Sequence, residues 1–576
     1  MKTKKRLFAL LLAMMLCIGC LQVTAFAAEP DSDIVVLYTN DVHCGIDKNI
    51  GYAGLAAYKS EMEAAGNYVT LVDVGDAIQG DTIGTLSKGS YIIDIMNAVR
   101  YDIAIPGNHE FDYGMDQFFA LTEQADFPYL ATNFVDLRTG EAVFYDYAII
   151  PYGDVNVAYI GIATPESFTK STPTYFQDEN GNYIYGFCEG NNGQDLYDAV
   201  QASVDAAKAD GADYVVALGH LGIDEQSSPW MSTDVIANTI GIDVFLDGHS
   251  HSTIPSQEVA NKNGETVLLS STGTKLEAIG KLTISQNGIS TELITNYEEK
   301  DPAIQAFIND IKNQYEDLVN TVVATTNVPL TINDPVTGKR IVRHAETNLG
   351  DLCADAYRIV LGADIAFVNG GGVRADIEAG DITYGDIISV HPFGNMACVI
   401  EATGQQILEA LELGASAYPG ESGGFLQVSG MSYQIDPTVP SPVILDDHSM
   451  FVGLEGENRV KNVMIGGEPL DLTKTYTLAS HNYMLKNAGD GYSMFQGCNI
   501  LQDEVLIDNQ VLINYIVDEL SGVVGEQYAN PYGEGRITIY DGSSTPDTGD
   551  SFPVLWVAVL AAGAAGIVIF RKKANA

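Results

Sequence analysis

Five histidines fall between residues 33 and 296, and each stands just past an apolar run. Thr39-Asn40-Asp41-Val42-His43 ends the run Ile34–Tyr38, and Asp73-Val74-Gly75-Asp76 ends Tyr68–Val72. Pro106-Gly107-Asn108-His109-Glu110 follows Ile103–Ile105, Gly219-His220 follows Tyr214–Leu218, and Asp247-Gly248-His249-Ser250-His251 follows Val244–Leu246. Imidazole and carboxylate are the usual ligands of Zn, Mn, Fe or Co, and one shared carboxylate bridges two ions about 3.5–4 Å apart. A single histidine in such a place reads as structural or surface. Five in one pattern, with no other histidine in that stretch, read as a pair of divalent transition-metal sites.

Such a site needs strands that bring these ends together. The runs, with Tyr129–Thr132 and Val155–Ile160 among them, are continuously apolar, which suits strands covered on both faces in α/β layers. In an open α/β sheet the carboxyl ends of the strands form the binding crevice. A charged stretch, Pro302–Asn320, carries Ile304, Phe307, Ile308, Ile311 and Tyr315 at helical spacing and predicts a connector helix. A second α/β unit runs from Val322 to about Tyr540, with helices near Asn348–Val360 and Gln405–Ala417.

Composition narrows the function. The 576 residues carry a net charge of −47, with 46% hydrophobic and 18% charged residues. The chain can bury large cores, so global disorder is excluded. An acidic surface repels a polyanion and excludes a nucleic-acid polymer as the main partner. An anionic substrate would need local cations, Arg or metal. Seven cysteines make a poor disulfide framework for this length. Five of them (Cys44, Cys188, Cys353, Cys398 and Cys498) lie between the chain's terminal segments, which predicts at least one free thiol and no disulfides. Cys44, beside His43, is expected to be a packed loop residue.

Taken in order, Asn40-Asp41-Val42-His43, Asp73-Val74-Gly75-Asp76, Gly107-Asn108-His109-Glu110-Phe111-Asp112, Gly219-His220 and Gly248-His249-Ser250-His251 resemble the five blocks of the calcineurin-like metallophosphoesterases. The long third block is similar to the branch that holds secreted 5′-nucleotidases, UDP-sugar hydrolases and 2′,3′-cyclic-nucleotide phosphodiesterases. The resemblance implies that Asp41, His43 and His251 hold one metal, that Asn108, His220 and His249 hold the other, and that Asp76 bridges them. Some relatives carry Gln at the position of His251. It implies two divalent ions, Zn, Mn or Co, and a catalytic His109 that faces the phosphate and is oriented by Asp112. In that scheme water attacks phosphorus in line with the leaving oxygen, its pKa lowered by two dications.

The resemblance extends over nearly all of residues 33–540. Arg343-His344-Ala345-Glu346-Thr347-Asn348-Leu349-Gly350, Asn369-Gly370-Gly371-Gly372-Val373-Arg374, Pro392-Phe393-Gly394-Asn395 and Asn487-Ala488-Gly489-Asp490-Gly491 look like signatures of the C-terminal domain of the nucleotidase branch. By that likeness Phe393 and Tyr483 stack on the base, Asp490 accepts from ribose hydroxyls, Asn369 bonds base or ribose, and Arg343 and Arg374 meet phosphate or the sugar edge. Tyr483 departs from the usual Phe. His344, His391, His448 and His481 read as loop or surface residues rather than ligands. The implied fold is α/β: a four-layer metallophosphoesterase domain, two sheets between helices, joined by a helix to a second α/β nucleotide-binding domain. With the metals on one domain and the nucleoside pocket on the other, it also implies rotation between the two.

The ends carry targeting signals. Lys2, Lys4, Lys5 and Arg6, the run Leu7–Leu16 and Ala25-Phe26-Ala27 read as a secretory signal; Cys17 and Cys20 leave a weaker lipoprotein reading. Thr545-Pro546-Asp547-Thr548-Gly549, the apolar span Phe552–Phe570 and Arg571-Lys572-Lys573 read as a sortase signal resembling LPXTG, or as a plain membrane anchor. The expected organisation is a signal at 1–28, the catalytic domain at 29–298, a linker helix at 299–321, the substrate domain at 322–540 and the sorting tail at 541–576. The expected protein acts outside the cell, anchored to a Gram-positive-type wall through sortase and peptidoglycan or tethered to the membrane, with nucleotides as substrates and no obligate protein partner. Cyclic phosphodiesterase with 3′-nucleotidase activity, UDP-sugar hydrolysis and an inert surface adhesin remain as alternatives.

Overall fold

The computed structural model describes residues 32–540, so the signal expected at 1–28 and the sorting tail expected at 541–576 lie outside the described residues. Among the described residues, no helix is long and apolar enough to cross a membrane.

Two sheets face each other in the first domain. The first runs in the order Gly288–Ile294, Ile279–Ser285, Ile34–Thr39, Tyr68–Asp73, Ile103–Ala104, and the second in the order Thr253–Ala260, Thr266–Thr272, Val244–Asp247, Tyr214–Gly219, Val155–Ile162, Tyr147–Tyr152. Within each sheet the strands that carry candidate residues run parallel to one another, and antiparallel strands flank them on one side of the first sheet and on both sides of the second.

Alternation along Ile34–Thr39 explains the layers. Val35 and Leu37 point outward into a core shared with the helices Gly51–Ala64 and Ser90–Val99. Ile34, Val36 and Tyr38 point inward and meet Val157, Tyr159, Val216, Leu218 and Leu246 of the second sheet. The Tyr38 hydroxyl bonds to Ser270 across this interface. The helix Gln194–Ala209 covers the far side through Leu196, Val200 and Val204. Both faces of each central strand are therefore buried, and the apolar runs have no polar alternation.

One expected strand is absent. Tyr129–Thr132 forms only isolated bridges. The Leu130 amide donates to Ala104 O of the first sheet at 2.9 Å, and the Thr132 amide to Gly161 O of the second at 2.8 Å. The run crosses between the sheets and extends neither.

The connector is two helices, Pro302–Asn313 and Glu316–Val319. Asp301 caps the first by accepting from the amides of Ala303 and Ile304, and Pro302 occupies the first turn, where no amide is needed. Ile304, Ile308 and Ile311 fasten it to the first domain's core.

The second domain is built on a sheet in the order Leu426–Ser429, Ile365–Asn369, Thr475–His481, Ala397–Thr403, Asn499–Gln502. The helix Asn348–Leu361 packs on one face and Gly404–Gly414 on the other. Thr347 caps the first helix, and Thr403 with Gln406 forms a capping box on the second. All five cysteines among the described residues are free, and Cys44 is a buried loop residue.

Several contacts join the domains. Thr85 Oγ1 donates to Pro392 O at 2.6 Å and Tyr483 Oη to Thr169 O at 2.6 Å. His448, in the turn before Phe451–Leu454, stacks on Tyr183 at 4.4 Å and 4°, meets Phe168 edge-on at 4.8 Å, and places Nε2 3.1 Å from Glu189 Oε1. It is a half-buried domain contact, more than the loop or surface residue its sequence context suggests. Glu189 accepts from the imidazole and raises its pKa against the opposing effect of burial, with Asp446 and Asp447 adding negative charge. A pKa raised in the contact state means that the ionic part of the contact is full below the ordinary histidine value and is lost as pH rises through the raised one. His448→Ala should therefore lower the transition temperature most at pH values below the ordinary histidine value, by about 1 kcal/mol or less of stability, with the difference from wild type shrinking as pH rises through the raised value. Calorimetry of both proteins across pH checks this, and a pH-independent difference would contradict it.

Candidate active site

Register brings the candidate residues to one edge. Asp73 pairs with Thr39 and Ala104 in the first sheet, and Gly219 with Ile162 and Asp247 in the second. The loops stay paired beyond the strands: the Asp41 amide donates to Gly75 O at 3.0 Å and the His43 amide to Asp76 O at 2.9 Å. Asp41, His43, Asp76, His249 and His251 all have positive φ, between 45° and 77°. Non-glycine residues rarely adopt this region, and clusters of them mark functional sites. Gly107 lacks a side chain for a definite reason, since a Cβ there would lie 2.3 Å from Asp76 Oδ1. Glu110 clamps the loops from beneath, its buried carboxylate accepting from the amides of Asp76, Ala77 and Gly107 at 2.7–2.8 Å.

Two groups of side chains gather there. Asp41, His43 and His251 form one, and Asp76, His220 and His249 the other, each with its donor atoms within 4.8 Å of one another. Asp41 Oδ1 lies 3.5–4.0 Å from His251, His220 and His43 Nε2. Asp76 Oδ2 stands between the groups, 3.1 Å from His220 Nε2 and 3.9 Å from His43 Nε2. Asn108 joins the second group, with Oδ1 2.9 Å from His249 Nδ1. His43 Nδ1 meets Gln79 O at 2.9 Å and His220 Nδ1 meets Val74 O at 2.7 Å, so both rings turn Nε2 into the cluster. His220 Nε2 is fully buried and, though 3.1 Å from Asp76 Oδ2, makes no well-aligned hydrogen bond. An orphaned imidazole nitrogen amid carboxylate oxygens, with its other nitrogen fixed by a carbonyl, is the donor set a divalent transition metal takes.

His109 borders this cluster. Its Nδ1 lies 2.5 Å from Asp112 Oδ2, and Ser171 Oγ donates to Asp112 Oδ1 at 2.8 Å. Burial lowers the His109 pKa, but the carboxylates of Asp112 and Asp76 outweigh it and raise the value.

The second domain closes the cleft. Asp76, Asn108, His109, Asp112, His249 and His251 share one cavity with Arg343, Asn369, Arg374, Phe393, Tyr483 and Asp490, while Asp41, His43 and His220 lie beneath it. Phe393 lies 5.8 Å from the His109 ring and 5.8 Å from the Arg374 guanidinium. Tyr483 packs so closely on Gly489 that a Cβ there would fall 2.2 Å from its ring. Phe393 and Tyr483 make no ring contact with each other among the described residues. Asn369 Nδ2 donates to Asp490 Oδ2 at 2.7 Å, and Asn369 Oδ1 lies 3.1 Å from His481 Nε2. Burial, then the charge of Arg340, brings the Arg374 pKa down to about 10. Burial and the charges of Arg340 and Arg374 hold Arg343 well below the usual range, and its Nε is buried without an acceptor. These unbalanced guanidinium groups suit an anion, and the arrangement as a whole suits hydrolysis of a phosphate ester.

Several residues of the site escaped sequence reasoning. Glu166, behind His249, follows the run Val155–Ile162, and the polar end of that strand is the signal that was available. Arg340, which forks onto Glu421 at the cavity rim, stands three residues before Arg343. His391 and His481 are buried, His391 in the bend that follows the helix Tyr384–Val390 and His481 at the end of its strand, where it supports Asn369. Asn40 ties Asp41 to the neighbouring loop, donating to Asp41 Oδ2 at 2.7 Å and accepting from Thr272.

Comparison with known proteins bears on this geometry. The calcineurin-like phosphoesterase family matches residues 34–253, and the 5′-nucleotidase C-terminal domain matches residues 322–497. The chain is 27% identical over 554 residues to the trifunctional nucleotide phosphoesterase protein YfkN of Bacillus subtilis, covering 88% of this chain and only 35% of that protein. It is 27% identical over 579 residues to a 5′-nucleotidase of Vibrio parahaemolyticus, covering 90% of this chain and 94% of that one. The crystal structure of a 5′-nucleotidase precursor from Thermus thermophilus superposes with a TM-score of 0.73 at 26% identity, over 88% of this chain and 99% of that one. With both families matched in order along a chain whose two domains share one cleft, the protein belongs to the 5′-nucleotidase family of phosphoester hydrolases, in which a calcineurin-like phosphoesterase domain precedes a 5′-nucleotidase C-terminal domain.

Proposed function

We propose that this protein hydrolyses nucleoside 5′-monophosphates to nucleoside and phosphate, with two divalent ions and outside the cell. One observation carries the reading: two imidazole–carboxylate groups, the His109–Asp112 pair and the arginines and aromatic rings of the second domain face one cavity. Asp41, His43 and His251 would hold one ion, Asn108, His220 and His249 the other, with Asp76 shared; Zn, Mn and Co all suit these donors. When bound, such ions supply a nucleophilic water at neutral pH and neutralise phosphoryl charge.

The chain's own residues do the rest. Asp112 holds His109 through Nδ1, which leaves Nε2 to face the phosphoryl group and stabilise its developing charge. Arg343 and Arg374 bind phosphate or the sugar edge, Asp490 takes the ribose hydroxyls, and Asn369, steadied by His481, meets base or ribose. Phe393 and Tyr483 flank the base, stacking being worth about 1–3 kcal/mol per contact. Residues 29–298 act as the catalytic domain, 322–540 as the substrate domain, and rotation about 299–321 lets product leave. The secretory signal and the sortase-like tail support an exported enzyme joined to the wall or membrane.

A broader reading has one observation in its favour, the likeness over 88% of the chain to a trifunctional nucleotide phosphoesterase. It would add cyclic-nucleotide phosphodiesterase and 3′-nucleotidase activity, or UDP-sugar hydrolysis, at the same metals. A panel of these substrates against AMP separates the two. An inert adhesin would have no use for the complete ligand set.

Three outcomes follow. Protein stripped with EDTA should lose turnover and regain it with Mn, Co or Zn, at two ions per chain by elemental analysis; full turnover without metal would refute the dinuclear reading. His109→Ala should keep its metal and fold while turnover falls roughly 10²–10⁴-fold, and loss of metal in this variant would make His109 a ligand. Phe393→Ala combined with Tyr483→Ala should damage AMP hydrolysis far more than hydrolysis of a small aryl phosphate. Equal losses on both substrates would remove the aromatic pair from the binding site.

A further inference from the structure

The two imidazole–carboxylate groups differ in charge. The group of Asp41, His43 and His251 has a carboxylate of its own. The group of Asn108, His220 and His249 has only neutral side chains beside the shared Asp76. A dication there would face less negative charge than its neighbour does.

His249 also differs from the other fixed rings. His43 and His220 present Nε2 to the cluster and give Nδ1 to a backbone carbonyl. His249 presents Nδ1, beside Asn108 Oδ1 at 2.9 Å, and turns Nε2 outward to Glu166 Oε2 at 2.9 Å. Glu166 is 7% exposed. It starts the short turn before the helix Ser167–Lys170, and its amide is fixed on Thr164 Oγ1 at 3.1 Å. A carboxylate on the far nitrogen of a ligating imidazole fixes the tautomer and raises the basicity of the near one.

We propose that Glu166 is a positioning residue for the second ion: it holds His249 with Nδ1 toward the Asn108–His220 group and supplies the negative charge that this group lacks. The assignment rests on the dinuclear reading above. It makes the two metal sites unequal in their dependence on Glu166, since no carboxylate stands in the same relation to His43.

The test is metal binding, measured apart from turnover. Metal-free wild type, Glu166→Ala and Glu166→Gln are titrated with Mn²⁺ by calorimetry, and the thermal stability of each metal-free protein is recorded. In Glu166→Ala one of two sites should weaken by about 10–100-fold, while the other keeps its affinity and the metal-free protein keeps its transition temperature. Glu166→Gln, whose amide oxygen still accepts from Nε2–H, should fall between Ala and wild type. Two unchanged sites in Glu166→Ala would overturn the assignment and leave the dinuclear reading intact. Equal weakening of both sites with a lower transition temperature would reduce Glu166 to a structural role and overturn it as well. A wild type that binds fewer than two ions would overturn the dinuclear reading, and this assignment with it.

Discussion

Buried negative charge at one strand edge is the constraint on which the rest of this structure depends. Asp41, Asp73, Asp76, Glu110 and Asp247 are all at most 2% exposed. Carboxylates in such a setting are costly unless each is hydrogen-bonded or faces a cation. Three of the five are satisfied by the fold itself. Asp73 accepts from Thr39 Oγ1 and the Gly75 amide, Asp247 from Ser232 and the amides of Leu221 and Gly222, and Glu110 from three loop amides. Asp41 and Asp76 each keep an oxygen aimed at imidazoles. The first three are scaffold, and the last two carry the charge that the imidazoles of the two groups face. Two sheets with helices outside are what allow so many strand ends to meet away from water.

That division also marks how far the sequence could be read. The apolar runs gave away the layers, because strands buried on both faces leave no polar alternation to confuse with a helix. The ligand candidates were legible because His and Asp stood at five strand ends in a recognisable order. Which carboxylate of Asp73-Val74-Gly75-Asp76 does which job was not a matter of spacing. It depends on whether backbone amides happen to reach both oxygens, and that is settled by the turn. Tyr129–Thr132 misled because an apolar run looks the same whether it joins a sheet or crosses between two. Glu166 stayed hidden because its role lies in its distance to His249, 83 residues away.

The second domain poses the opposite electrostatic problem. A chain of net charge −47 has to attract an anion. Arg340, Arg343 and Arg374 repel one another in the same cleft, and only Arg340 has a carboxylate partner, Glu421. A compact phosphate brings the missing counter-charge, whereas a long polyanion would have to lie along the acidic surface around the cleft. A few desolvated cations inside a strongly acidic protein thus favour a small anion over a long one.

The segment Thr164–Ser171 links these two problems. Glu166 supports His249, Ser171 supports Asp112, and Thr169 O accepts from Tyr483 across the domain boundary. The Tyr483 hydroxyl also accepts from the Asp490 amide at 3.1 Å, so this residue ties the Asp490 loop to the first domain. A Phe there could stack on a base equally well but could make neither bond. In this chain one eight-residue stretch supports His249, Asp112 and the contact with the second domain together.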